Sequence, residues 1–215
     1  MKVLTIANRK GGAGKSTCAA HLSVEATRNK YKTILIDLDP QKTLEGWWNK
    51  REEQEPYLTD AYSGDLSKKI VELSEQDFDL CIIDTPGDAS VSSVNAIRLS
   101  NLVLVPSKAT APDLSAIGRT ISTLKENNKE FAFLVTQAVP TSKNPLQAIS
   151  ILSEFGPVAP SPMTNRTSFS NAMGSGGTAA DYDKNAASEM VSIWEFLEKK
   201  LFGIIKGNTN GKTKI

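Results

Sequence analysis

The chain has 215 residues, 40% of them hydrophobic and 23% charged, and its 25 Lys and Arg nearly balance 24 Asp and Glu, for a formal net charge of +1. This composition is typical of a globular protein and excludes a uniformly basic nucleic-acid binder, although it permits a local basic patch. No apolar run approaches the roughly 20 residues of a membrane span, so we expect a cytoplasmic protein.

Short apolar runs alternate with helix-like segments along the whole chain. The predicted strands cover residues 3–7, 33–38, 78–84, 102–106 and 131–136. The predicted helices cover residues 15–29, 66–75, 91–99, 114–127, 145–155 and 186–202, with 156–162 a short strand or loop. This alternation predicts an α/β fold, a mainly parallel twisted sheet with helices on both faces. We expect a single domain over residues 1–206 and a disordered polar tail over 207–215.

The two cysteines and the single histidine do not suggest a metal site. Cys18 falls in a predicted helix and Cys81 in a predicted strand, and both segments should be buried. We therefore expect reduced thiols in the core. His21 lies in the middle of the first helix and cannot build a zinc site alone. Met1 leads directly into a strand, so we expect no signal peptide.

A glycine-rich loop connects the first strand to the first helix, and it reads Lys10-Gly11-Gly12-Ala13-Gly14-Lys15-Ser16-Thr17. Glycines let backbone N–H groups approach phosphates closely, and the positive end of the following helix points at the anion. This is the P-loop arrangement of nucleoside triphosphatases. We predict that it binds ATP with Mg²⁺: Lys15 between the outer phosphates, Ser16 on the metal and Thr17 near the α-phosphate. The strict P-loop pattern requires glycine where Arg9 stands.

Carboxylates end two of the predicted buried strands. Asp84 begins the segment Asp84-Thr85-Pro86-Gly87, and Asp37 and Asp39 lie in Asp37-Leu38-Asp39-Pro40-Gln41. The carboxyl ends of parallel strands meet at one edge of the sheet, where such folds bind nucleotides. We predict that Asp84 holds Mg²⁺, through water, and that it completes the site with the other two carboxylates.

The loop and the acids together resemble the ParA/MinD family of deviant Walker A ATPases, whose signature is K-G-G-x-G-K-[ST]-[ST]. The resemblance implies that Asp37 lies near the metal, that Asp39 orients the attacking water, and that Lys10 acts across an ATP-dependent homodimer. Asp39-Pro40-Gln41 and Pro112-Asp113-Leu114 resemble small plasmid ParA proteins of the ParF kind. The stretch from Pro160 through Arg166 to Met173 resembles VirC proteins.

The same resemblance places further contacts on the second half of the chain. Adenine-facing candidates are Thr136, Gln137, Pro162 and Met163. ParA proteins also bind DNA without sequence preference, which is electrostatic and needs several cations on one face. Candidate cations are Arg166, Lys184, Lys199, Lys200 and Lys206. The C-terminal stripe Trp194, Leu197, Leu201 and Ile204 or Ile205 resembles the MinD membrane-targeting helix, but it equally describes a helix packed on the core.

We therefore predict an ATP hydrolase that positions plasmid or chromosomal DNA, cytoplasmic and nucleoid-associated when bound to ATP, with a DNA-bound ParB-like partner stimulating hydrolysis. Three alternatives share the phosphate loop: a VirC-like accessory ATPase of conjugative transfer, a MinD-like membrane-associated positioning ATPase, and an ATP-gated scaffold that does not turn over.

Overall fold

The computed structural model describes residues 1–61 and 64–203. In that part of the chain one sheet has seven strands: β1 (Lys2–Ile6), β2 (Thr33–Asp37), β3 (Tyr57–Leu58), β4 (Leu80–Asp84), β5 (Leu102–Lys108), β6 (Phe131–Ala138) and β7 (Met163–Thr164). The helices are α1 (Lys15–Arg28), α2 (Thr43–Trp48), α3 (Leu66–Ser74), α4 (Val91–Leu99), α5 (Ala111–Glu126), α6 (Asn144–Ser153), α7 (Thr167–Ser175) and α8 (Lys184–Phe202), with a 3₁₀ turn at Ala179–Asp181.

All strand pairs are parallel, and the strand order is β3-β2-β4-β1-β5-β6-β7. The strand β1 lies between β4 and β5. The chain places β2 and β3 on one side of β1, returns with β4 between β2 and β1, and then adds β5, β6 and β7 on the other side. Open α/β sheets bind ligands at the carboxyl ends of the strands beside such a switch point. The loops that follow β1, β2 and β4 therefore meet at one edge of the sheet.

Both faces of the sheet are covered by helices, as predicted. Leu4 and Ile6 of β1 pack into the cluster that buries α1, α2, α7 and α8. On the opposite face, Val103 and Val105 of β5 pack with α5 and α6, and Ile34 of β2 packs with α3 and α4. Strands that are buried on both sides must be apolar throughout, which explains why their sequences are continuous apolar runs.

The last helix, α8, packs on the core. Its apolar stripe therefore serves core packing, which was the alternative to a membrane-targeting helix. Trp194, Leu197 and Leu201 are at most 4% exposed and join the cluster beneath α1. The hydroxyl of Tyr31 donates to Glu198 Oε1 at 2.9 Å. Among the described residues, no helix has both the length and the apolar character needed to cross a membrane. Ile204, Ile205, Lys206 and the predicted tail 207–215 lie outside the described residues.

Four elements were not predicted from the sequence: the helices α2 and α7 and the strands β3 and β7. The segment 156–162, predicted as a short strand or loop, is a loop in which Val158 forms an isolated bridge to Phe133. Both helices are short and the two strands have two residues each. The two-residue strands and the six-residue α2 carry too little periodicity to be recognised, and their stability comes from tertiary packing. The helix α7 is as long as α3 and α4, which were predicted, so its length does not explain why it was missed.

The predicted core thiols and the histidine are buried. Cys18 and Cys81 are free cysteines, and burial raises the pKa of both thiols to about 12. His21 Nδ1 donates to the carbonyl oxygen of Thr17 at 2.8 Å, and Nε2 accepts from the Ala179 N–H at 3.1 Å. Both ring nitrogens are therefore satisfied in the neutral form, and burial lowers the pKa of His21 from 6.5 to about 4.

We expect His21 to make the protein less stable as the pH falls. Between pH 6.5 and about 4 the unfolded chain binds a proton at His21 that the folded chain excludes, so folding loses free energy as pH drops through this window. Relative to His21→Gln, the free energy of unfolding of the wild type should fall by roughly 2 kcal/mol between about pH 7 and about pH 5. Urea titrations of both proteins measure the difference between their free energies of unfolding. The contributions of other titrating groups are the same in both proteins and cancel in this difference. A difference that does not change with pH would show that the pKa of His21 is the same in the folded and the unfolded chain.

Candidate functional site

The loop between β1 and α1 ends at Gly14, which caps α1 with φ 89°. This left-handed conformation favours glycine, and glycine offers no side chain to cap the helix. The N–H groups of the first turn have no partners within the helix, so the positive end of α1 is available to an anion. The predicted binding loop, Gly11 to Thr17, lies at this end.

Two side chains of β6 hold the loop in this conformation. Thr136 Oγ1 donates to the carbonyl oxygen of Ala13 at 2.8 Å, and Gln137 Nε2 donates to that of Gly12 at 2.9 Å. In a trans peptide unit the C=O and the next N–H point in opposite directions. Because the two carbonyls face β6, the N–H groups of Ala13 and Gly14 are turned away from that strand.

A pocket of about 610 Å³ opens in front of the loop. The lining residues are Gly11, Gly12, Gly14, Lys15, Ser16, Thr17, Asp39, Pro40, Gln41, Thr43, Pro86, Gly87, Asp88 and Gln137. Lys15 is only 6% exposed, so its ammonium is held in the pocket. Gln41 was noted only as part of the segment Asp39-Pro40-Gln41 and was given no role in the site. Thr43 and Asp88 were not predicted as site residues, because single polar residues carry no distinguishing pattern.

The segment after β4 lies tightly against the phosphate loop. A Cβ at Gly87 would lie 3.1 Å from the backbone N and Cα of Gly11 and 3.3 Å from Lys15 Nζ. Such contacts are tighter than ordinary packing, so a side chain at residue 87 would push against the phosphate loop, and glycine lets the two loops meet without a shift. This contact brings the end of β4 to Lys15.

The carboxylate of Asp84 is buried, and it forms no salt bridge with any described residue. The residue is 0% exposed, and neither of its oxygens has a hydrogen-bond partner of good geometry in that part of the chain, although the Ser16 hydroxyl lies close enough to stabilise the charged form. Burial raises the pKa of Asp84 to about 7; the Ser16 hydroxyl opposes this rise and the charge of Asp37 adds to it. A buried carboxylate without a partner is costly, and a divalent cation with oxygen ligands would relieve that cost. The pair Asp84 and Ser16 therefore fits Mg²⁺.

Asp37 and Asp39 have different surroundings, although Asp37 ends β2 and Asp39 lies only two residues further on. Asp37 pairs in register with Asp84, and its oxygens accept from the N–H groups of Asp39 at 2.9 Å and Glu45 at 3.0 Å. Burial raises the pKa of Asp37, while those two hydrogen bonds oppose the rise. Asp37 therefore holds the segment that carries Asp39. Asp39 itself lines the pocket, and its Oδ1 accepts from the N–H of Gln41 at 2.9 Å.

Lys10 points away from the pocket of its own chain. Its Nζ lies 3.1 Å from Oδ1 of Asp113, which is in the first turn of α5 and 5% exposed, whereas Lys10 is 36% exposed. Asp113 also accepts from the Thr110 hydroxyl. The sequence did not reveal this pair, because the two residues are far apart in the chain.

The residues predicted to face adenine lie beside the phosphate loop, with one exception. Thr136, Gln137 and Met163 line a cleft of about 160 Å³ that also includes Gly14 and Thr17. Pro162 precedes β7 and is not part of this lining, and Met163, predicted in a loop, is the first residue of β7. The cleft extends along α7 through Phe169 and Ser170.

The predicted DNA-binding cations do not form one patch. Arg166 lies 2.8 Å from Glu189 and 3.6 Å from Asp183, so its charge is largely neutralised. Lys184 begins α8, whereas Lys199 and Lys200 lie in its last turn. At about 1.5 Å per residue the two ends of the helix are more than about 20 Å apart. Lys206 lies outside the described residues.

Comparisons with known proteins agree with this geometry. The family model of the CobQ/CobB/MinD/ParA nucleotide binding domain matches residues 4–176. The chain is 30% identical to protein virC1 of Rhizobium radiobacter over 186 residues, 79% of each chain. It is also 30% identical to protein ParA of Rhizobium radiobacter over 141 residues, which span 65% of this chain and 63% of that protein. A plasmid partition protein of Borrelia burgdorferi B31 bound to AMPPNP has the same fold, with a TM-score of 0.73 and 20% identity over 92% of this chain and 99% of that chain.

Proposed function

This chain belongs to the CobQ/CobB/MinD/ParA family of nucleotide-binding proteins, and we propose that it is a ParA-like partition ATPase. The observation that carries the proposal is the pocket at the switch point, where the phosphate loop and Lys15 meet the buried carboxylate of Asp84, which has no hydrogen bond of good geometry within the described part of the chain. The similarity of the chain to protein ParA supports DNA partition as the process that the ATPase serves.

Some residues of the pocket bind ATP, and others position the water that hydrolyses it. The loop N–H groups and Lys15 bind the phosphates, and the cleft beside Thr136, Gln137 and Met163 receives the base. Ser16 and Asp84, the latter through water, would hold Mg²⁺ with Asp37 near the metal, and the ion would supply positive charge beside the outer phosphates. Asp39 orients the attacking water from the pocket wall. In phosphoryl transfer such positioning and charge stabilisation supply most of the catalysis.

Lys10 couples hydrolysis to dimerisation. Its ammonium faces out of its own pocket and is held by Asp113. In a face-to-face dimer Lys10 exchanges this carboxylate for the phosphates of the partner subunit's ATP. ATP therefore favours the dimer, and hydrolysis releases it.

The dimer binds DNA without sequence preference, and a ParB-like protein stimulates its hydrolysis. The chain has a formal net charge of only +1, so one subunit offers few cations to DNA. Two subunits present Lys184, Lys199 and Lys200 twice, which makes binding dependent on the ATP-bound dimer.

We expect the AMP-PNP-bound protein to bind unrelated duplexes with similar affinity, with the logarithm of affinity falling linearly with the logarithm of salt concentration. The ADP-bound protein should bind at least about tenfold more weakly. Lys10→Ala should keep nucleotide binding but lose both the dimer in light scattering and the DNA binding. Anionic liposomes are the control surface. ATP-dependent binding to liposomes without DNA binding would replace this proposal with the MinD-like one.

The similarity to virC1 favours one second candidate, an accessory ATPase of conjugative DNA transfer. Both candidates use the same chemistry, so only an experiment in cells can distinguish partition from transfer. Deleting the gene should lower plasmid retention if the protein serves partition. Unchanged retention with a lower frequency of transfer would favour the second candidate.

A further inference from the structure

A lysine outside the family signature lies against the phosphate loop. Lys108 is the last residue of β5, in register with Thr136 of β6. A Cβ placed on Gly12 would lie 3.7 Å from Lys108 Nζ. The Gly12 Cα is one C–C bond, about 1.5 Å, from that Cβ position, so the ammonium lies within about 5.2 Å of the Gly12 Cα. Gly12 itself lines the nucleotide pocket.

The positive charge of Lys108 is not neutralised by the described residues. Among residues 1–61 and 64–203, no carboxylate forms a salt bridge with Lys108, and Asp113, which lies five residues further on, is paired with Lys10. Lys108 instead lines a cleft of about 160 Å³ with Gln137, Ser142, Asn144 and Asn165. No acidic residue lines this cleft, and Gln137 belongs to both the cleft and the nucleotide pocket.

We propose that Lys108 is a third phosphate-binding cation of the nucleotide site, beside Lys15 and the partner-directed Lys10. The inference rests on the proposed function, because it takes the ligand of the pocket to be a nucleoside triphosphate. A half-buried lysine that forms no salt bridge within residues 1–61 and 64–203 keeps its charge available to a bound anion, and its four-carbon side chain lets the ammonium approach the phosphates. The side chains of Gln137 and Thr136 hold the intervening loop in place.

A cation at this position should favour ligands that carry more negative charge. The Mg²⁺ complex of AMP-PNP carries one more negative charge than that of ADP, so Lys108 should contribute more to binding the triphosphate. A lysine that only packs against Gly12 would instead affect folding, and it would affect both nucleotides equally.

The test is calorimetric binding of Mg²⁺–AMP-PNP and Mg²⁺–ADP to the wild type, Lys108→Gln and Lys108→Arg. We expect Lys108→Gln to weaken AMP-PNP about tenfold and ADP about threefold, the order expected for one charge several ångströms from a phosphate in a partly hydrated site. Lys108→Arg should restore most of the affinity. The melting temperature without nucleotide should not change in either variant.

The matched control is Lys143→Gln, which removes an exposed lysine at the start of α6 that lines neither the pocket nor the cleft. It should bind both nucleotides as the wild type does. Equal affinities of Lys108→Gln and the wild type would overturn the inference, as would an equal loss for both nucleotides together with a lower melting temperature. If the wild type itself fails to bind AMP-PNP, the proposed function is wrong, and the two failures are thus distinct.

Discussion

Lys15→Ala is expected to abolish binding of Mg²⁺–ATP, raising Kd about a thousandfold. Lys15 is 6% exposed and lies in the first turn of α1, where its ammonium and the N–H groups of the loop face the same pocket. Removing one member of a buried charge pair costs roughly 4 kcal/mol, which corresponds to about three orders of magnitude in Kd. Calorimetry with AMP-PNP and Mg²⁺ measures the effect.

The control for Lys15→Ala is Lys125→Ala, which removes an exposed lysine from the last turn of α5. Lys125→Ala should bind AMP-PNP with wild-type affinity. The Lys15 variant should also stay folded without nucleotide, since an alanine fits the helix well. An affinity within about threefold of the wild type would mean that the pocket is not a phosphate site.

The sequence predicted the central sheet and the phosphate loop because each leaves a local pattern. Strands buried on both faces are continuous apolar runs, and β2 and β4 each end in the aspartate that was assigned to the site. The loop needs glycines in adjacent positions, which is a rare arrangement. These features depend on neighbouring residues alone, so they can be recognised without coordinates.

The remaining features of the site depend on contacts between distant segments. The pairing of Lys10 with Asp113 and the approach of Lys108 to Gly12 join residues about a hundred positions apart. Gln137 was expected to face adenine, and the structure adds that its side chain binds the Gly12 carbonyl. The helix α2 was missed because its first turn is stabilised by the carboxylate of Asp37, eight residues before Glu45.

Asp39→Asn is expected to lower kcat about a hundredfold or more while leaving the Kd of ATP almost unchanged. Asp39 accepts a hydrogen bond from the Gln41 N–H through a single oxygen, and the amide oxygen of asparagine can accept the same bond. The substitution therefore keeps the loop but removes the charge that orients water. Because the loss falls on the transition state, the ATP-bound dimer should persist longer than in the wild type.

Asp37→Asn is the informative comparison, because Asp37 uses both oxygens on backbone N–H groups and asparagine has one acceptor oxygen. Asp37→Asn should therefore lose one buried hydrogen bond, which costs about 1–3 kcal/mol of stability. Its melting temperature should fall, whereas that of Asp39→Asn should not. Steady-state phosphate release and thermal melting of both variants separate the two roles. Normal turnover in Asp39→Asn together with slow turnover in a folded Asp37→Asn would move the catalytic carboxylate from Asp39 to Asp37.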